Sequence, residues 1–485
     1  MSTHFLLPNS LERSALWAEL IRQLETYIED VETLPVAPAL KQAELRSLLH
    51  TFSFDRPASH MDVLQRFTEE LKKHQVHTPH PRYFGLFNPA PAFMGILADC
   101  ITATLNPQLA AWSHSPLAVE TERHIIAAFA GKFGFAEEHA DGCLTSGGAE
   151  ANLTALLCAL AKRWPEVLEN GLQGISVKPL FYASAESHHS FLKAARTAGL
   201  GRAALRIVPV TDELQMDIGA LQTMIQQDRG AGYEPFLVIG TAGTTGAGVV
   251  DPLVAIGEIA RTNNLSFHVD AAWGGAAALC PKLRPTLSGI EGADSITFDP
   301  HKFLSIPMGA GMLLSRHPQA LGKIFSVSTA YTPKEGERLA VIDPYVHSPQ
   351  WSRRFIGLKL FLTLATIGWD GYAQVIQHQS DIGDLLRDRL KANGWRLVNN
   401  TRLPVVCFTS AREDWDMNTH QQVSDAVVAS GRAWISTILL DGKRAALRAC
   451  ITNYRTSPQH VEALVDALSA VRDTISPPSL SIGGM

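Results

Sequence analysis

Five short segments carry residue types that could do chemistry together, and each follows a stretch that reads as a β-strand. In Ser295-Ile296-Thr297-Phe298-Asp299-Pro300-His301-Lys302-Phe303, Lys302 comes after an apolar run and a proline turn. A lysine drawn partly out of water gives up its proton more readily and can form a Schiff base with an aldehyde. Taken alone, a lysine is ordinarily a solvated surface charge. Phe267-His268-Val269-Asp270-Ala271-Ala272-Trp273-Gly274-Gly275 closes an apolar run with a carboxylate followed by two alanines, a surface that a flat ring could approach. Asp270 there would keep a pyridine nitrogen protonated and make the ring an electron sink; the plainer alternative is a helix cap.

Thr145-Ser146-Gly147-Gly148-Ala149-Glu150-Ala151-Asn152 is a small-residue turn that opens a helix with Leu153, Leu156, Leu157 and Leu160 on one face. Such a turn presents backbone N–H groups at the positive end of the helix dipole, a place for a phosphate. It also suits a tight turn before a buried helix. Ser184-Ala185-Glu186-Ser187-His188-His189-Ser190 offers in His188 a flat ring that titrates near neutrality; alone it is an ordinary loop histidine. Gly240-Thr241-Ala242-Gly243-Thr244-Thr245-Gly246 supplies hydroxyls and N–H groups for polar cofactor atoms, or is a plain glycine turn.

The elements that must position these residues alternate. Strands are expected at 180–183, 204–210, 236–241, 266–270 and 295–298, with helices between them, for example at 252–261. This alternation predicts an α/β domain with a mostly parallel sheet, in which ligands bind beyond the carboxyl ends of the strands. Ahead of it, residues 1–78 read as an N-terminal helical arm, with apolar stripes over 11–30 and about 58–75. The large domain spans 79–370 and ends in a helix expected over 350–368. Residues 371–485 mix helices with strands at 405–409 and 446–451, as a smaller α+β domain would.

Composition narrows the class. The 485 residues are 46% hydrophobic and 18% charged, and Lys+Arg 42 against Asp+Glu 47 gives a net charge of −5. That balance argues against a nucleic-acid or anionic-membrane partner. Six scattered cysteines without C-x-x-C spacing read as reduced thiols, and no secretory signal or apolar span is evident, so a cytoplasmic location is expected. His74, His77 and His80 lie on a proline-rich connector without ligand geometry, so no metal is expected.

In their combination and order, these segments resemble the group II pyridoxal 5′-phosphate (PLP)-dependent amino-acid decarboxylases of fold type I. The likeness runs over about residues 10–470 and rests on H-V-D-A-A-x-x-G, D-P-H-K-F and S-x-x-x-H-x-S-x-x-K-A. The resemblance implies that Lys302 bears the cofactor, Asp270 meets the ring nitrogen, and His188 stacks on the ring with Thr245 nearby. Ser146, Gly147, Gly148 and Ala149 would contact the phosphate, with Ala272, Asp299 and His301 also at the cofactor. Ala149 stands where the family often has Ser. Asp299 stands where some members have Asn and others Asp.

The family also has a mobile loop carrying a tyrosine that acts as a general acid, which implies Tyr345, with Tyr331 as runner-up, or else a Tyr345 packed in a dimer interface. Phe84 and Trp112 match the substrate pocket and imply an aromatic or bulky amino acid, although Ala110 is smaller than aromatic-specific members tend to carry. The implied activity is α-decarboxylation of an L-amino acid by a homodimer with active sites at its interface. Competing readings are an aldehyde synthase, a decarboxylase of acidic or diamino acids with Arg82 as a countercharge, a transaminase or lyase, and a catalytically silent scaffold.

Overall fold

A computed structural model of the chain describes residues 6–136, 138, 140–327, 339 and 341–475. Its larger sheet has seven strands: β1 (Asp141–Thr145), β2 (Lys178–Ser184), β3 (Leu205–Val208), β4 (Tyr233–Thr241), β5 (Ser266–Asp270), β6 (Ser295–Phe298) and β7 (Gly311–Ser315). Their order is β1-β7-β6-β5-β4-β2-β3. The pairs from β3 to β6 are parallel, and β7 alone runs against both of its neighbours. The inner strands are apolar on both faces, with Val238, Ile239, Val269, Ile296 and Phe298 all buried. Strands of that kind need helices on either side, among them Gly148–Arg163 and Leu253–Thr262.

Register brings the strand ends level. Thr241 pairs with Asp270, Asp270 with Thr297, and Thr145 with Gly311. The residues following β1, β2, β4, β5 and β6 therefore emerge at one carboxyl edge.

A second, antiparallel sheet of β8 (Trp395–Leu397), β9 (Val405–Ser410), β10 (Ser436–Leu440) and β11 (Arg444–Cys450) has the order β10-β11-β9-β8. Val423 and Val427 from the helix Met417–Ala429, and Leu464 and Leu468 from Pro458–Ile475, pack with Val406, Phe408 and Leu447 in its core. Phe84 belongs to this core, which corrects its expected place on a substrate wall. It is 0% exposed, its N–H donates to the Trp434 carbonyl, and its own carbonyl accepts from Cys450 N–H, both at 2.9 Å. Burying an aromatic ring in that apolar layer removes more surface from water than a solvated wall allows.

Four other elements differ from expectation. A short helix, Gln42–His50, lies between the expected arm helices, which are Ser10–Asp30 and His60–Lys73. Strands β1 and β7 carry no alternation that would mark them in the sequence. The helix expected over 350–368 instead starts at Gly357 and runs to Ala392, with a break at Gly368 (φ 65°). Glu122 explains the late start: one carboxylate oxygen accepts the Gly357 N–H at 3.0 Å and the other pairs with Arg353 at 2.5 Å, both side chains being buried. The residues before Gly357 are thus committed to an extended path.

Candidate active site

The carboxyl edge encloses a cavity of about 300 Å³. Lys302, Asp270, His188, Thr245, Ala272, Asp299 and His301 line it, together with the turn Ser146, Gly147, Gly148 and Ala149. Five segments far apart in the chain meet there because five strands end at that edge.

Lys302 sits on the turn after β6, where its N–H donates to the Asp299 carbonyl at 3.0 Å. Its Nζ lies 3.0 Å from Asp299 Oδ2, the same oxygen that accepts the Gly148 N–H at 3.0 Å. The other oxygen, Oδ1, is buried without a partner. His301 Nδ1 accepts the Ala310 N–H at 3.1 Å, which ties this turn to the start of β7.

Two glycines make the close approach possible. A Cβ on Gly148 would come 2.8 Å from Asp299 Oδ2, and one on Gly311 would come 2.6 Å from both Asp299 Oδ1 and Thr145 Oγ1. At Ser146, the N–H and the hydroxyl both donate to Glu150 Oε2, at 2.8 and 2.7 Å. Gln350 Nε2 donates to the other Glu150 oxygen.

Asp270 closes β5 and is 4% exposed. Its Oδ1 accepts the Ala272 N–H at 3.1 Å, and its Oδ2 accepts Asn152 Nδ2 at 2.9 Å. His188 Nδ1 accepts the Ser190 N–H at 3.2 Å. Burial pushes the His188 imidazole below its ordinary value; the Asp270 charge opposes that shift and the Lys302 charge adds to it. The ring is therefore within electrostatic reach of both key groups. Burial lowers His301 as well, with Asp299 opposing.

Sequence reasoning missed Asn152, Glu150, Trp273 and Met308 on the cavity wall. Asn152 was open to detection: it stands four residues after Gly148, one helical turn from the small-residue turn and on the same face. Trp273 is stacked between Phe87 (4.6 Å) and Phe303 (5.6 Å).

Trp112 and Tyr345 do not line this cavity within their own chain. The Trp112 N–H donates to Asp343 Oδ1 at 2.6 Å and its indole to Glu120 Oε1 at 2.9 Å. Tyr345 is buried with its ring 4.9 Å from that of Trp351, and its N–H donates to the Ala110 carbonyl at 3.0 Å. Tyr331 lies outside the described residues. Arg82 is turned toward the arm, where its guanidinium donates to the Glu32 carbonyl at 3.3 Å.

An amine, a carboxylate, a flat imidazole and the amide-rich start of a helix form the donor set that a pyridine aldehyde phosphate requires. Because Gly148 has no Cβ, Asp299 and Ala272 come in close to the first N–H of that helix. The residues present fit the group, and together they describe a PLP-binding enzyme site.

The chain belongs to the pyridoxal-dependent decarboxylase family, whose conserved-domain model matches residues 43–411. It is 28% identical to the aromatic-L-amino-acid decarboxylase of Bacillus atrophaeus, over 96% of this chain and 98% of that one. It is 31% identical to the acidic amino acid decarboxylase GADL1 of Mus musculus, over 75% and 66%. Among solved structures, Oryza sativa TDC with PLP and tryptamine superposes with a TM-score of 0.89 at 24% identity, covering 97% of this chain and 99% of that one. The cofactor is PLP, the fold is type I, and the protein is an amino-acid carboxy-lyase.

Proposed function

We propose that this enzyme decarboxylates an L-amino acid with an uncharged, aromatic side chain, using Lys302 as the cofactor-bearing residue. The observation that carries the reading is the cavity lining itself. It unites Lys302, Asp270 and His188 with the Ser146–Ala149 turn, and among the described residues it holds no arginine and no second lysine. Among the described residues of this chain, an acidic side chain would find no countercharge there. The carboxylates that a diamino acid would seek are engaged, Asp299 by Lys302 and Glu150 by Ser146 and Gln350. The likeness to an aromatic amino-acid decarboxylase over nearly the whole chain supports the same side-chain class.

PLP, when bound, supplies the electron sink that takes up the electron pair left as the α-carboxylate departs as CO₂. The chain's own residues provide the rest. N–H groups at the start of the helix Gly148–Arg163 would hold the phosphate. Asp299 accepts the Gly148 N–H and, as a carboxylate, offers no amide N–H of its own at position 299. Asp270 would face the ring nitrogen, and Ala272 and Thr245 would flank the ring. The Lys302 amine would bond the aldehyde, and Asp299 Oδ2 holds that amine when it is free. His188, with Nδ1 accepting from Ser190, carries its hydrogen on Nε2 and would lie against the ring face. The proton returned to the substrate Cα would come from His188 in its protonated form or from Tyr345.

The test is CO₂ release from a panel of L-tyrosine, L-tryptophan, L-phenylalanine, DOPA, L-glutamate, L-aspartate and L-2,4-diaminobutyrate, with peroxide and ammonia monitored alongside. An aromatic substrate should give the highest kcat/KM, at least about tenfold above glutamate. Faster turnover of an acidic or diamino acid would overturn the substrate class, and stoichiometric peroxide would establish an aldehyde synthase.

The reading includes an arm to residue 78, a cofactor domain to 370 and a small domain beyond. It also includes a homodimer, supported by exposed apolar residues on the arm, and a cytoplasmic location, supported by six free thiols. No helix among the described residues is long and apolar enough to cross a membrane.

A further inference from the structure

We propose that Asn152 and His268 are positioning residues that fix Asp270 for the cofactor ring nitrogen, Asn152 as the hub and His268 as the lock on its amide. The proposal rests on the reading of Asp270 given above. Both residues are 1% exposed. Asn152 Nδ2 spends its two hydrogens on Asp270 Oδ2 (2.9 Å) and Ser190 Oγ (3.0 Å). Its Oδ1 must then accept, and the donor is His268 Nε2 at 3.1 Å. His268 Nδ1 in turn accepts from Ser295 Oγ at 2.9 Å.

The Asp270 carboxylate sets the directions: it draws Asn152 Nδ2 to itself, so Asn152 Oδ1 faces His268 Nε2, which also lies 3.3 Å from Thr297 Oγ1. Burial pushes the His268 imidazole down to about 4, so the ring is neutral near pH 7 and has one N–H to give. Placing that hydrogen on Nε2 satisfies Asn152 Oδ1 and leaves Nδ1 free to accept. Turning the amide round would set Oδ1 against Asp270 Oδ2 and Nδ2 against the His268 N–H, with two like partners in contact at once. With its hydrogen on Nε2, His268 disfavours the reversed amide, as Asp270 does, and Asp270 keeps a donor.

The hub also reaches the other face of the site, because Ser190 donates its N–H to His188 Nδ1 at 3.2 Å. One buried amide thus sets both the acid expected at the ring edge and the imidazole expected on the ring face. A residue that merely filled space at 268 would need no polar atoms. Here a file of buried polar side chains crosses the sheet, with a partner for each ring nitrogen, a costly arrangement unless each bond is kept.

The test compares the full chain, stripped of cofactor and reloaded, as wild type, His268→Leu, His268→Gln, Asn152→Ala and Asp270→Asn. Each is titrated with PLP and with an analogue carrying carbon in place of the ring nitrogen, by quenching of tryptophan fluorescence. Wild type should prefer PLP. His268→Leu and Asn152→Ala should weaken PLP about tenfold and leave the analogue within about twofold, as expected for one lost hydrogen bond to a charged group. His268→Gln, which keeps an N–H near the Nε2 position, should recover most of the preference.

Equal weakening of both ligands would assign His268 to packing alone and overturn the proposal. An unchanged preference in His268→Leu and Asn152→Ala, with the preference lost in Asp270→Asn, would overturn the relay and leave the Asp270 reading standing. A preference retained in Asp270→Asn would remove that reading and the relay with it. Should His268→Leu not fold, Asn152→Ala against His268→Gln decides the same question.

Discussion

Asp299 places a carboxylate between the amine of Lys302 and the first N–H of the helix that opens at Gly148. An amide could accept from one of these groups but would not attract the lysine charge, so the acid orients the amine before any aldehyde arrives. His268 makes a second contribution, to stability. Its value in the folded chain is about 4, against an ordinary 6.5. Between those values the unfolded chain binds the proton and the folded chain does not, so stability falls as pH falls through that window. Urea unfolding should show the margin of wild type over His268→Gln shrinking by about 2 kcal/mol from pH 7 to pH 5. A margin independent of pH would place a charged imidazole in the fold. That Lys302, Asp270 and His188 would meet was legible in the sequence because each lies at or just beyond the end of an apolar strand. Asn152 was legible only as to its helix face, from its spacing to Gly148; that its amide meets Asp270 could not be read until the strand opposite was in place.

Five strands were legible as apolar runs punctuated by turns, and their common edge followed from the parallel rule alone. β1 and β7 escaped notice: Asp141-Gly142-Cys143-Leu144-Thr145 and Gly311-Met312-Leu313-Leu314-Ser315 are five-residue pieces that acquire strand character only by pairing with each other and with β6. The late start of the helix at Gly357 was hidden for a related reason, because the buried Glu122 that caps it lies more than two hundred residues earlier in the chain. Phe84 shows the limit of assignment by position. A motif can place a residue near a site, but whether its ring faces the ligand or the core depends on the sheet it meets, here β11 through the Cys450 N–H.

At the scale of the whole molecule, the described residues leave apolar surface exposed at the N-terminal side. Leu11, Trp17, Ile21 and Leu24 on the first arm helix are exposed, as are Val63, Phe67 and Leu71 on the helix His60–Lys73 and Leu97, Ile101 and Leu105 on the helix Phe93–Leu105. Stripes of this kind mark an association surface. Light scattering after size exclusion should give twice the 52.8 kDa of the chain, and the double variant Trp17→Glu, Ile21→Glu should shift it toward the monomer. A monomeric wild type at micromolar concentration would contradict a second copy covering this surface.

Lys302 is the residue on which the assignment depends, and borohydride treatment of the cofactor-loaded enzyme interrogates it directly. Reduction followed by peptide mass spectrometry should find a single pyridoxyl phosphate group, carried by the peptide that contains Asp299-Pro300-His301-Lys302 and located on the lysine. A label on any other lysine, or a loaded enzyme that takes up none, would contradict it.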